Sequence, residues 1–364
     1  MRHVWLSAGI IIEKVKLTIV NCELIGQSSH FSIYTLQFNF FNDPISTRSL
    51  RSGFDSLKLP SLPFRIDFRQ TTVTVVTFSE LCEKVDSRLK ASVTSQNQQW
   101  ASRQLADYDA RLPGTMFAEG VVLDVAQGYE LQSAVAQWRC GRGERVIGYK
   151  VGCTSPTIRA QLGINHCVSG RLYDSEQHSS GAVLSRERFA NLAIEGEIAV
   201  ELSREPNEKE FSEVEIPACV ARVFPVIELH NHVMRGERPS AGELIANNAI
   251  HAGVVAGSGV RLTDICGAND NYDSGALDSS ALSIFADDRL LDECAGPTLI
   301  QTINSSLKWL TKSVRDRGER LSAGQIILTG SIPSLIPIAE DCGIRVDAPP
   351  FGSVEVKFIT CPSS

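Results

Sequence analysis

The segment AIEGEIAVEL, residues 193–202, alternates like a β-strand yet carries three carboxylates. Successive side chains of a strand point to opposite faces of its sheet. The apolar residues therefore share one face, and Glu195, Glu197 and Glu201 share the other. In a single strand of this kind the simplest interpretation is a solvated polar face. The alternative is that the acids hold a ligand.

A second acidic strand favours the ligand interpretation. In FPVIELHNH, residues 224–232, the same alternation places Glu228, His230 and His232 on one face of a run too apolar for an exposed edge. Two carboxylates from the first segment and one from this segment would make a site of three oxygen ligands. Hard divalent cations such as Mg²⁺ prefer such sites, which leave positions open for water and substrate. The two segments together indicate a divalent-metal site.

A third strand-like segment contains a lysine. RVIGYKVGCTSPTIRAQLGI, residues 145–164, places Lys150 among apolar residues with glycines on either side. One interpretation is a lysine that extends from a strand end into water. The other is a lysine held near the metal, where its ammonium group stabilises an enolate or transfers a proton.

The composition fits a metal-binding enzyme better than a nucleic-acid or membrane-surface protein. At 364 residues the chain is long enough for one large domain or two ordinary ones. Its net charge of -7 at pH 7 argues against nucleic acid and anionic membranes as partners. Residues 1–75 hold eight basic and five acidic residues, so the acidic excess lies in the remainder. An acidic body suits a divalent cation better than a phosphate polymer.

The ten cysteines indicate a reducing compartment. They are scattered from Cys22 to Cys361, without a C-x-x-C pair or a cysteine–histidine cluster at zinc spacing. Disulfide frameworks belong to small secreted chains, so we expect free, mostly buried thiols. No apolar run approaches the roughly 18 residues that a transmembrane helix needs, and the stretch 4–12 is short for a signal peptide. These observations predict a cytoplasmic protein.

Three regions follow one another along the chain. Residues 1–75 are rich in Ser and Arg without a sustained period, which predicts a poorly ordered N-terminal extension. An organelle presequence is the alternative, and Glu13 and Glu23 count against it. We expect residues 76–142 to form a helical segment that packs on the body, and residues 143–364 to form a strand-rich catalytic domain.

The predicted elements define an α+β protein. Helical spacing in 78–109 and 123–137 predicts two early helices, the second with Asp124 as N-cap. A late helix over 297–318 should end at Gly318. The expected strands between turn residues are 145–152, 195–202, 218–230, 252–262, 325–330 and 354–359. Early helices followed by many short strands indicate an α+β fold with a strand-rich body.

The motifs in this order resemble a known family. They are GYKVGCTS (148–155), SGRLYD (169–174), RERFANLAIEGEIAVEL (186–202), VIEL (226–229), IANNAIHAGVVAG (245–257), LSAGQIILTGS (321–331) and FGSVEVKF (351–358). Together they resemble the hydratase/decarboxylase branch of the fumarylacetoacetase-like superfamily, across roughly residues 105–360. That branch includes 2-oxopent-4-enoate hydratase and 4-oxalocrotonate decarboxylase. The resemblance implies a mixed β-roll or sandwich around an acidic metal site, usually in a homo-oligomer.

The resemblance also implies roles for particular residues. Glu195, Glu197 and Glu228 fall on the family's metal-binding carboxylates, which implies Mg²⁺ or Mn²⁺. Lys150 falls on the active-site lysine. Two further residues are expected to bind the substrate: Ser331 in LTGS, where the family approaches the substrate carboxylate, and Thr154 in GYKVGCTS. Glu201 is expected to be solvated only.

The chain departs from the family pattern beside this set. Val168 replaces an aspartate that the family is thought to use for proton handling, and His230-Asn231-His232 replaces Asp-Ser-Arg. Where the family has a segment like DNASSGG, residues 247–253 of this chain read NNAIHAG. An acid and a pair of serines are therefore missing. A histidine side chain ordinarily has a pKa near neutrality, so His166 could replace the missing aspartate as a catalytic acid or base. An exposed loop histidine is the simpler interpretation. His230 could join the metal or be a hydrogen-bonded structural residue.

These observations predict a metal-dependent lyase. Its substrate would be a small 2-oxo or 2-hydroxydienoic acid of aromatic catabolism, with 2-oxopent-4-enoate hydration as the first choice of reaction. Decarboxylation of the 4-oxalocrotonate type is the alternative, with a C–C bond hydrolase as a further rival. A family member that binds a 2-oxo acid without hydratase activity is the non-catalytic alternative, motivated by Val168 and Asn247.

Overall fold

The structure is a computed structural model that describes residues 9–12, 15–18, 37–40, 96–212, 215–231, 240–265, 280–295, 297–331 and 335–360. The chain divides into two units, Met1–Val76 and Thr77–Ser364. In the first unit the described residues form an antiparallel sheet of β1 (Gly9–Ile12), β2 (Val15–Thr18) and β3 (Gln37–Phe40). The expected disorder of residues 1–75 concerns mostly residues outside this description and stays a prediction.

The second unit contains early helices, many short strands and one long late helix. Its helices are α1 (96–109), α2 (Thr115–Ala118), α3 (Val125–Gly141), α4 (Pro156–Gln161), α5 (Ala241–Ala246), α6 (Leu262–Ile265) and α7 (Pro297–Asp316). Its strands are β4 (Val146–Gly152), β5 (Val168–Tyr173), β6 (Gln177–Ser179), β7 (Ala182–Ser185), β8 (Leu192–Leu202), β9 (Val220–Asn231), β10 (His251–Ala256), β11 (Val260–Arg261), β12 (Ala281–Ala286), β13 (Arg289–Ala295), β14 (Ile326–Leu328), β15 (Ile336–Pro337), β16 (Cys342–Asp347) and β17 (Ser353–Ile359). The predicted α+β class is confirmed.

Two mixed sheets form the body of this unit. Within the described residues, the larger sheet has nine strands in the order β5-β4-β14-β8-β9-β10-β6, with β11 added on β9 and β15 on β8. The smaller sheet has five strands in the order β13-β12-β16-β17-β7. Strands β8 and β9 are the longest neighbours, and they pair antiparallel with Glu195 opposite Glu228. The two predicted acidic segments are therefore adjacent strands at the centre of the larger sheet.

The apolar face of β8 packs toward the smaller sheet. Ile194 and Ile198 of β8 belong to the same buried cluster as Ile284 of β12 and Val346 of β16, which α7 also joins. Gly196 lies between the two isoleucines on this face. A Cβ atom on Gly196 would lie 2.8 Å from Ile284 side-chain atoms, so the close approach of the two sheets requires glycine here.

We expect Gly196→Ala to lower the free energy of unfolding by about 1–3 kcal/mol, because the added methyl group overpacks a filled core. Urea unfolding measures this change. Gly141→Ala is the matched control, since Gly141 lies in α3 with no atom within 4 Å of the added Cβ. That control should be neutral or stabilising by up to about 1 kcal/mol, the helix-propensity difference between the two residues. Equal effects of the two substitutions would contradict the packing account.

Both predicted helix boundaries are confirmed. Asp124 is the N-cap of α3, where its carboxylate accepts from the Gln127 N–H at 2.8 Å and Gln127 Oε1 accepts from the Asp124 N–H at 3.0 Å. This reciprocal pair is a capping box. After α7, Gly318 has a φ of 77° and its N–H donates to the Arg315 carbonyl at 2.9 Å. The left-handed conformation explains why glycine ends this helix.

The residue after that glycine ties α7 to the larger sheet. Glu319 accepts two hydrogen bonds of 2.7 Å from Arg171 on β5, and one of 2.8 Å from the Tyr149 hydroxyl on β4. Burial alone would raise the pKa of Glu319, but the hydrogen bonds and charge of Arg171 outweigh it and hold the pKa below its usual value. A carboxyl with a lowered folded-state pKa stabilises the fold above its unfolded pKa.

We expect Glu319→Gln to lower the free energy of unfolding by about 1–3 kcal/mol at neutral pH, because Arg171 loses its ionised partner. The difference from the parent protein should shrink as the pH falls through the carboxyl range, between about pH 5 and pH 3, since the parent then loses the same charge. Denaturant titrations at several pH values measure it. Glu340→Gln, at an exposed position, is the control and should change little at any pH. A pH-independent difference would contradict the ion-pair explanation.

The described cysteines are free, as predicted, but most are not buried. Cys140, Cys153, Cys167, Cys219, Cys294 and Cys342 form no disulfide, and only Cys219 among these six is buried. The expected burial was wrong because several of the others lie at strand ends or in loops, where packing is incomplete. In the described part of the chain no helix is long and apolar enough to cross a membrane.

Candidate metal centre and active site

Four strands of the larger sheet bring the predicted residues to one of its faces, with β14 between the first of them, β4, and the other three. This face is the one opposite the Ile194 and Ile198 side chains of β8. The ionisable residues on it include Lys150 of β4, Glu195 and Glu197 of β8, Glu228 and His230 of β9, and His251 of β10. The antiparallel register places Glu195 opposite Glu228 and His230 opposite His251. The larger sheet therefore assembles acids and bases that are far apart in the sequence.

Glu228 is the centre of this group. Its side chain is fully buried, and its Oε1 lies 3.2 Å from Lys150 Nζ and 2.8 Å from His251 Nδ1. Burial alone would raise the pKa of Glu228, but the positive charge of Lys150 and the neighbouring histidines outweigh it and lower the pKa. Glu228 is therefore a buried carboxylate, and its Oε2 has no hydrogen-bond partner among the described residues.

Lys150 stays charged despite its burial. Its side chain is 3% exposed, and burial by itself lowers the pKa of an ammonium group. The charge of Glu228, followed by those of Glu195 and Glu197, outweighs this effect and raises the pKa of Lys150 above its usual value. Three carboxylates around one ammonium leave an excess of negative charge, which a cation could neutralise.

Glu197 is the second buried carboxyl group. Its Oε2 accepts from the Gly330 N–H at 2.9 Å, whereas its Oε1 has no partner among the described residues. Burial first, then the charges of Glu228 and Glu195, raise the pKa of Glu197 well above its usual value. Gly330 has a φ of 95°, and a Cβ there would lie 2.5 Å from Thr154, so the turn that holds Glu197 requires glycine.

Glu195 and His230 face each other across the strand pair. His230 Nε2 lies 3.2 Å from Glu195 Oε2 and 3.8 Å from Glu228 Oε2. One donor atom from each of these three residues lies within 4.8 Å of the others. His230 is 1% exposed, and neither ring nitrogen forms a hydrogen bond with a described residue. Whether His230 joins the metal or is a hydrogen-bonded structural residue stays a prediction.

These residues fit a divalent cation. An oxygen of Glu228 and an oxygen of Glu197 are buried without a hydrogen bond among the described residues, which is costly unless a positive group faces them. Carboxylate oxygens are the ligands that hard divalent ions prefer. Among the described residues, the group whose donor atoms lie within 4.8 Å of one another contains Glu195, Glu228 and His230, and not Glu197. The predicted set of three carboxylates therefore stays a prediction.

The two predicted substrate-binding residues lie together at the edge of this centre. The Thr154 hydroxyl donates to the Ser331 carbonyl at 3.3 Å, and the Ser331 hydroxyl donates to the Gly196 carbonyl at 3.4 Å. Gly196 stands between the two acids of β8, so both residues are close to the carboxylates in the structure. Their role toward a substrate stays a prediction.

Among the described residues, His166 forms no hydrogen bond with this group. Its ring is half-buried, and its Nδ1 lies 2.7 Å from the Cys167 carbonyl oxygen. Among the described residues it bonds to none of the carboxylates, so its role as a replacement acid or base stays a prediction. Val168 is fully buried in an apolar cluster with Tyr129 and Ile245. That position therefore provides no titratable group.

Glu201 is an ion-pair partner rather than a solvated acid. Its Oε2 accepts from Arg222 Nε at 3.0 Å and from Arg222 Nη2 at 2.8 Å. The expectation of solvation alone was wrong because β9 places Arg222 directly opposite Glu201. Because Glu201 pairs with Arg222, this third acid of β8 is not part of the metal centre.

Two contributions were missing from the sequence-based account. The Gly330 N–H holds Glu197, and His251 Nδ1 contacts Glu228. A backbone donor leaves no residue-type signal in a sequence. His251 was visible as a histidine, but only the register of β9 and β10 places it beside Glu228.

Comparison with known proteins finds related sequences. No family model matches the chain. It is 25% identical over 236 residues to a 2-keto-4-pentenoate hydratase of Burkholderia vietnamiensis, which covers 65% of this chain and 86% of that protein. It is also 25% identical over 235 residues to a 4-oxalocrotonate decarboxylase of Pseudomonas putida, covering 64% of this chain and 85% of that protein.

A solved structure has the same fold. The 4-oxalocrotonate decarboxylase from Pseudomonas putida G7, complexed with magnesium and adipate, superposes with a TM-score of 0.63 and 22% identity. The alignment covers 73% of this chain and 98% of that chain. The predicted fold is confirmed by this similarity. The chain is a homologue of proteins named 2-keto-4-pentenoate hydratase and 4-oxalocrotonate decarboxylase, which confirms the resemblance that the motifs indicate.

Proposed function

We propose that the protein is a divalent-metal-dependent lyase that acts on a small 2-oxo or 2-hydroxydienoic acid of aromatic catabolism. The reaction proposed first is hydration of 2-oxopent-4-enoate, another name for 2-keto-4-pentenoate. The observation that carries the proposal is the buried Glu228 carboxylate, paired with Lys150 at 3.2 Å and opposite Glu195 on the next strand. A buried acid, a buried charged lysine and further acids on one face support chemistry on an anionic, metal-chelating substrate.

Glu195, Glu197 and Glu228 would hold the ion, either Mg²⁺ or Mn²⁺. These carboxylates supply oxygen donors on one face of two paired strands. A bound divalent cation would supply positive charge beside the carboxylate and keto oxygens of a 2-oxo acid. The Gly330 N–H holds one Glu197 oxygen and leaves the other free for the ion.

Lys150 would stabilise the charge that develops during the reaction. Removal of a proton next to the keto group leaves negative charge on the keto oxygen, and a buried ammonium group stabilises that charge strongly. The 3.2 Å contact with Glu228 fixes the position of Lys150 Nζ. Lys150 could also return a proton to the carbon skeleton. We assign the substrate carboxylate to Ser331 and Thr154, which lie at the edge of the same group.

Decarboxylation of the 4-oxalocrotonate type is the second candidate. Hydration needs a group that moves a proton to or from water, whereas loss of CO₂ leaves an electron pair that requires only protonation. The apolar burial of Val168, at the position of the family's aspartate, favours the reaction with less proton handling. His166 is the proposed replacement acid or base if hydration is the reaction.

The test is turnover of two substrates by the purified protein. We expect 2-hydroxypenta-2,4-dienoate to lose its ultraviolet absorbance in the presence of Mg²⁺ or Mn²⁺, and to persist in the presence of a chelator. Turnover of 4-oxalocrotonate with release of CO₂, without dienoate turnover, would select the decarboxylase. Metal binding without turnover of either compound would favour the non-catalytic alternative, in which the protein binds a 2-oxo acid without hydratase activity.

Two further features belong to the same proposal. We propose a homo-oligomer, because the resembling family usually forms one, and sedimentation velocity measures its size. A cytoplasmic location is proposed from the free thiols of the described cysteines, since free thiols are typical of reducing compartments. Both follow from the resemblance and the composition.

A further inference from the structure

We propose that His230 is a nitrogen ligand of this metal centre. Through that ligand the centre would prefer first-row transition-metal ions over Mg²⁺ more strongly than a centre of carboxylates alone. The inference rests on the proposed metal binding at the same site. It concerns a residue that stands where the family pattern has a different sequence, so it distinguishes this chain from the three-carboxylate centre that the resemblance implies.

The environment of His230 is incomplete without a further partner. The side chain is 1% exposed, and neither Nδ1 nor Nε2 forms a hydrogen bond with a described residue. A buried polar group without a partner destabilises the fold. Nε2 is directed at two carboxylates, Glu195 and Glu228, rather than at a hydrogen-bond donor. A cation between these three groups would be a partner for Nε2 and for both carboxylates.

The distances fit one shared ion. Nitrogen and oxygen ligands lie about 2.0–2.2 Å from a first-row metal ion, so two ligands of one ion are at most about 4.3 Å apart. His230 Nε2 lies 3.2 Å from Glu195 Oε2 and 3.8 Å from Glu228 Oε2. Both separations are within that limit. One donor atom from each of Glu195, Glu228 and His230 also lies within 4.8 Å of the other two.

The two oxygens of Glu228 have separate partners. Oε1 contacts Lys150 and His251, at 3.2 Å and 2.8 Å, whereas Oε2 faces His230 and has no hydrogen bond among the described residues. A carboxylate that binds a metal through one oxygen is commonly oriented by hydrogen bonds to the other. The hydrogen bond from His251 would therefore orient Glu228, and only His230 of the two histidines would bind the ion.

A nitrogen ligand changes which ions the centre prefers. Carboxylate and water ligands suit Mg²⁺, whereas imidazole suits iron, nickel, copper and zinc ions. Affinity for a mixed nitrogen and oxygen site rises from Mn²⁺ through Fe²⁺ to Co²⁺. His230 should therefore increase the affinity for Co²⁺ much more than the affinity for Mg²⁺. The rival explanation is a protonated His230 that pairs with the two carboxylates and binds no metal.

The test uses Mn²⁺ as a spectroscopic probe in the full-length protein. We expect electron spin-echo modulation from a directly bound imidazole nitrogen in the parent protein, its loss in His230→Gln, and its retention in His251→Gln. Calorimetry should show Co²⁺ binding weakened by about 10-fold or more in His230→Gln, with Mg²⁺ binding changed by less than about 2-fold because Mg²⁺ gains little from imidazole. Circular dichroism confirms folding of each variant.

Bound Mn²⁺ without nitrogen modulation in the parent protein would overturn the inference and leave the proposed function intact. That measurement requires no variant, so a folding defect of His230→Gln could not hide the outcome. An equal loss of Co²⁺ and Mg²⁺ affinity in His230→Gln would also overturn it. Failure of the parent protein to bind Mn²⁺, Co²⁺ or Mg²⁺ would overturn both this inference and the proposed function.

Discussion

Replacement of Glu228 by Gln is expected to weaken binding of Mn²⁺ or Mg²⁺ by more than about 100-fold, because a charged ligand is lost together with its orienting contacts. Lys150 and His251 would both face an amide in place of a carboxylate. Loss of one partner of a buried ion pair commonly costs about 3–5 kcal/mol, so the free energy of unfolding should fall as well. Calorimetry and urea unfolding measure the two effects.

Glu201→Gln is the matched control for this prediction. Glu201 lies on the same face of β8 as Glu195, but it pairs with Arg222 and takes no part in the centre. We expect the metal affinity of this variant to stay within about 2-fold of the parent, because charges at this distance are screened near the surface. Unchanged metal affinity in Glu228→Gln, or a comparable loss in Glu201→Gln, would contradict the assignment of Glu228.

Replacement of Lys150 by Met is expected to separate turnover from metal binding. The rate constant kcat should fall by about 10²–10⁴-fold, the usual range for a lost proton-transfer or charge-stabilising group. Metal affinity should stay the same or increase, because a positive charge 3.2 Å from Glu228 has been removed. Steady-state kinetics with saturating metal and calorimetry measure the two quantities on the same preparation.

Lys312→Met provides the control for the loss of a lysine. Lys312 lies on the outer surface of α7, where its side chain is 71% exposed and pairs with Asp316. Neither kcat nor metal affinity should change in that variant, since exposed pairs contribute little. A Lys150→Met variant that keeps the parent kcat would remove Lys150 from the mechanism. A variant that loses metal binding would show that Lys150 acts by holding Glu228.

The strands of the centre could be predicted from the sequence because alternation is local. A period of two in residues 193–202 defines which side chains share a face, whatever the partner strand is. The same rule placed Glu228 and His230 together on β9. The caps at Asp124 and Gly318 were equally local, since each depends on a few neighbouring residues.

Properties that depend on which strands pair could not be predicted in this way. The order of the larger sheet sets the contact of His251 with Glu228 and the pairing of Glu201 with Arg222. A single sequence contains no measure of register between strands that are far apart in the chain. The sequence therefore defined the face on which each acid lies, and the sheet order determined the partner of each acid.

The close approach of the two sheets is the other property that local sequence patterns could not predict. The sequence shows only that Gly196 is a glycine within a strand. The need for glycine at this position follows from its contact with Ile284, nearly 90 positions later in the chain. Among the described residues, the His230 nitrogens have no hydrogen bond, and this likewise follows from packing on every side. Local patterns predict elements and faces, whereas burial of a polar atom is a property of the assembled sheets.

The most direct test is metal-dependent turnover by a Glu195→Gln/Glu197→Gln double variant, compared with the parent protein and with Glu201→Gln. The substrate is 2-hydroxypenta-2,4-dienoate, followed by its ultraviolet absorbance with Mg²⁺, with Mn²⁺ and with chelator, and metal content is measured on the same samples. We expect the parent and Glu201→Gln to bind metal and turn over the dienoate, and the double variant to do neither. Chelator-resistant turnover, or a double variant with the metal content and turnover of the parent, would contradict the carboxylate metal centre.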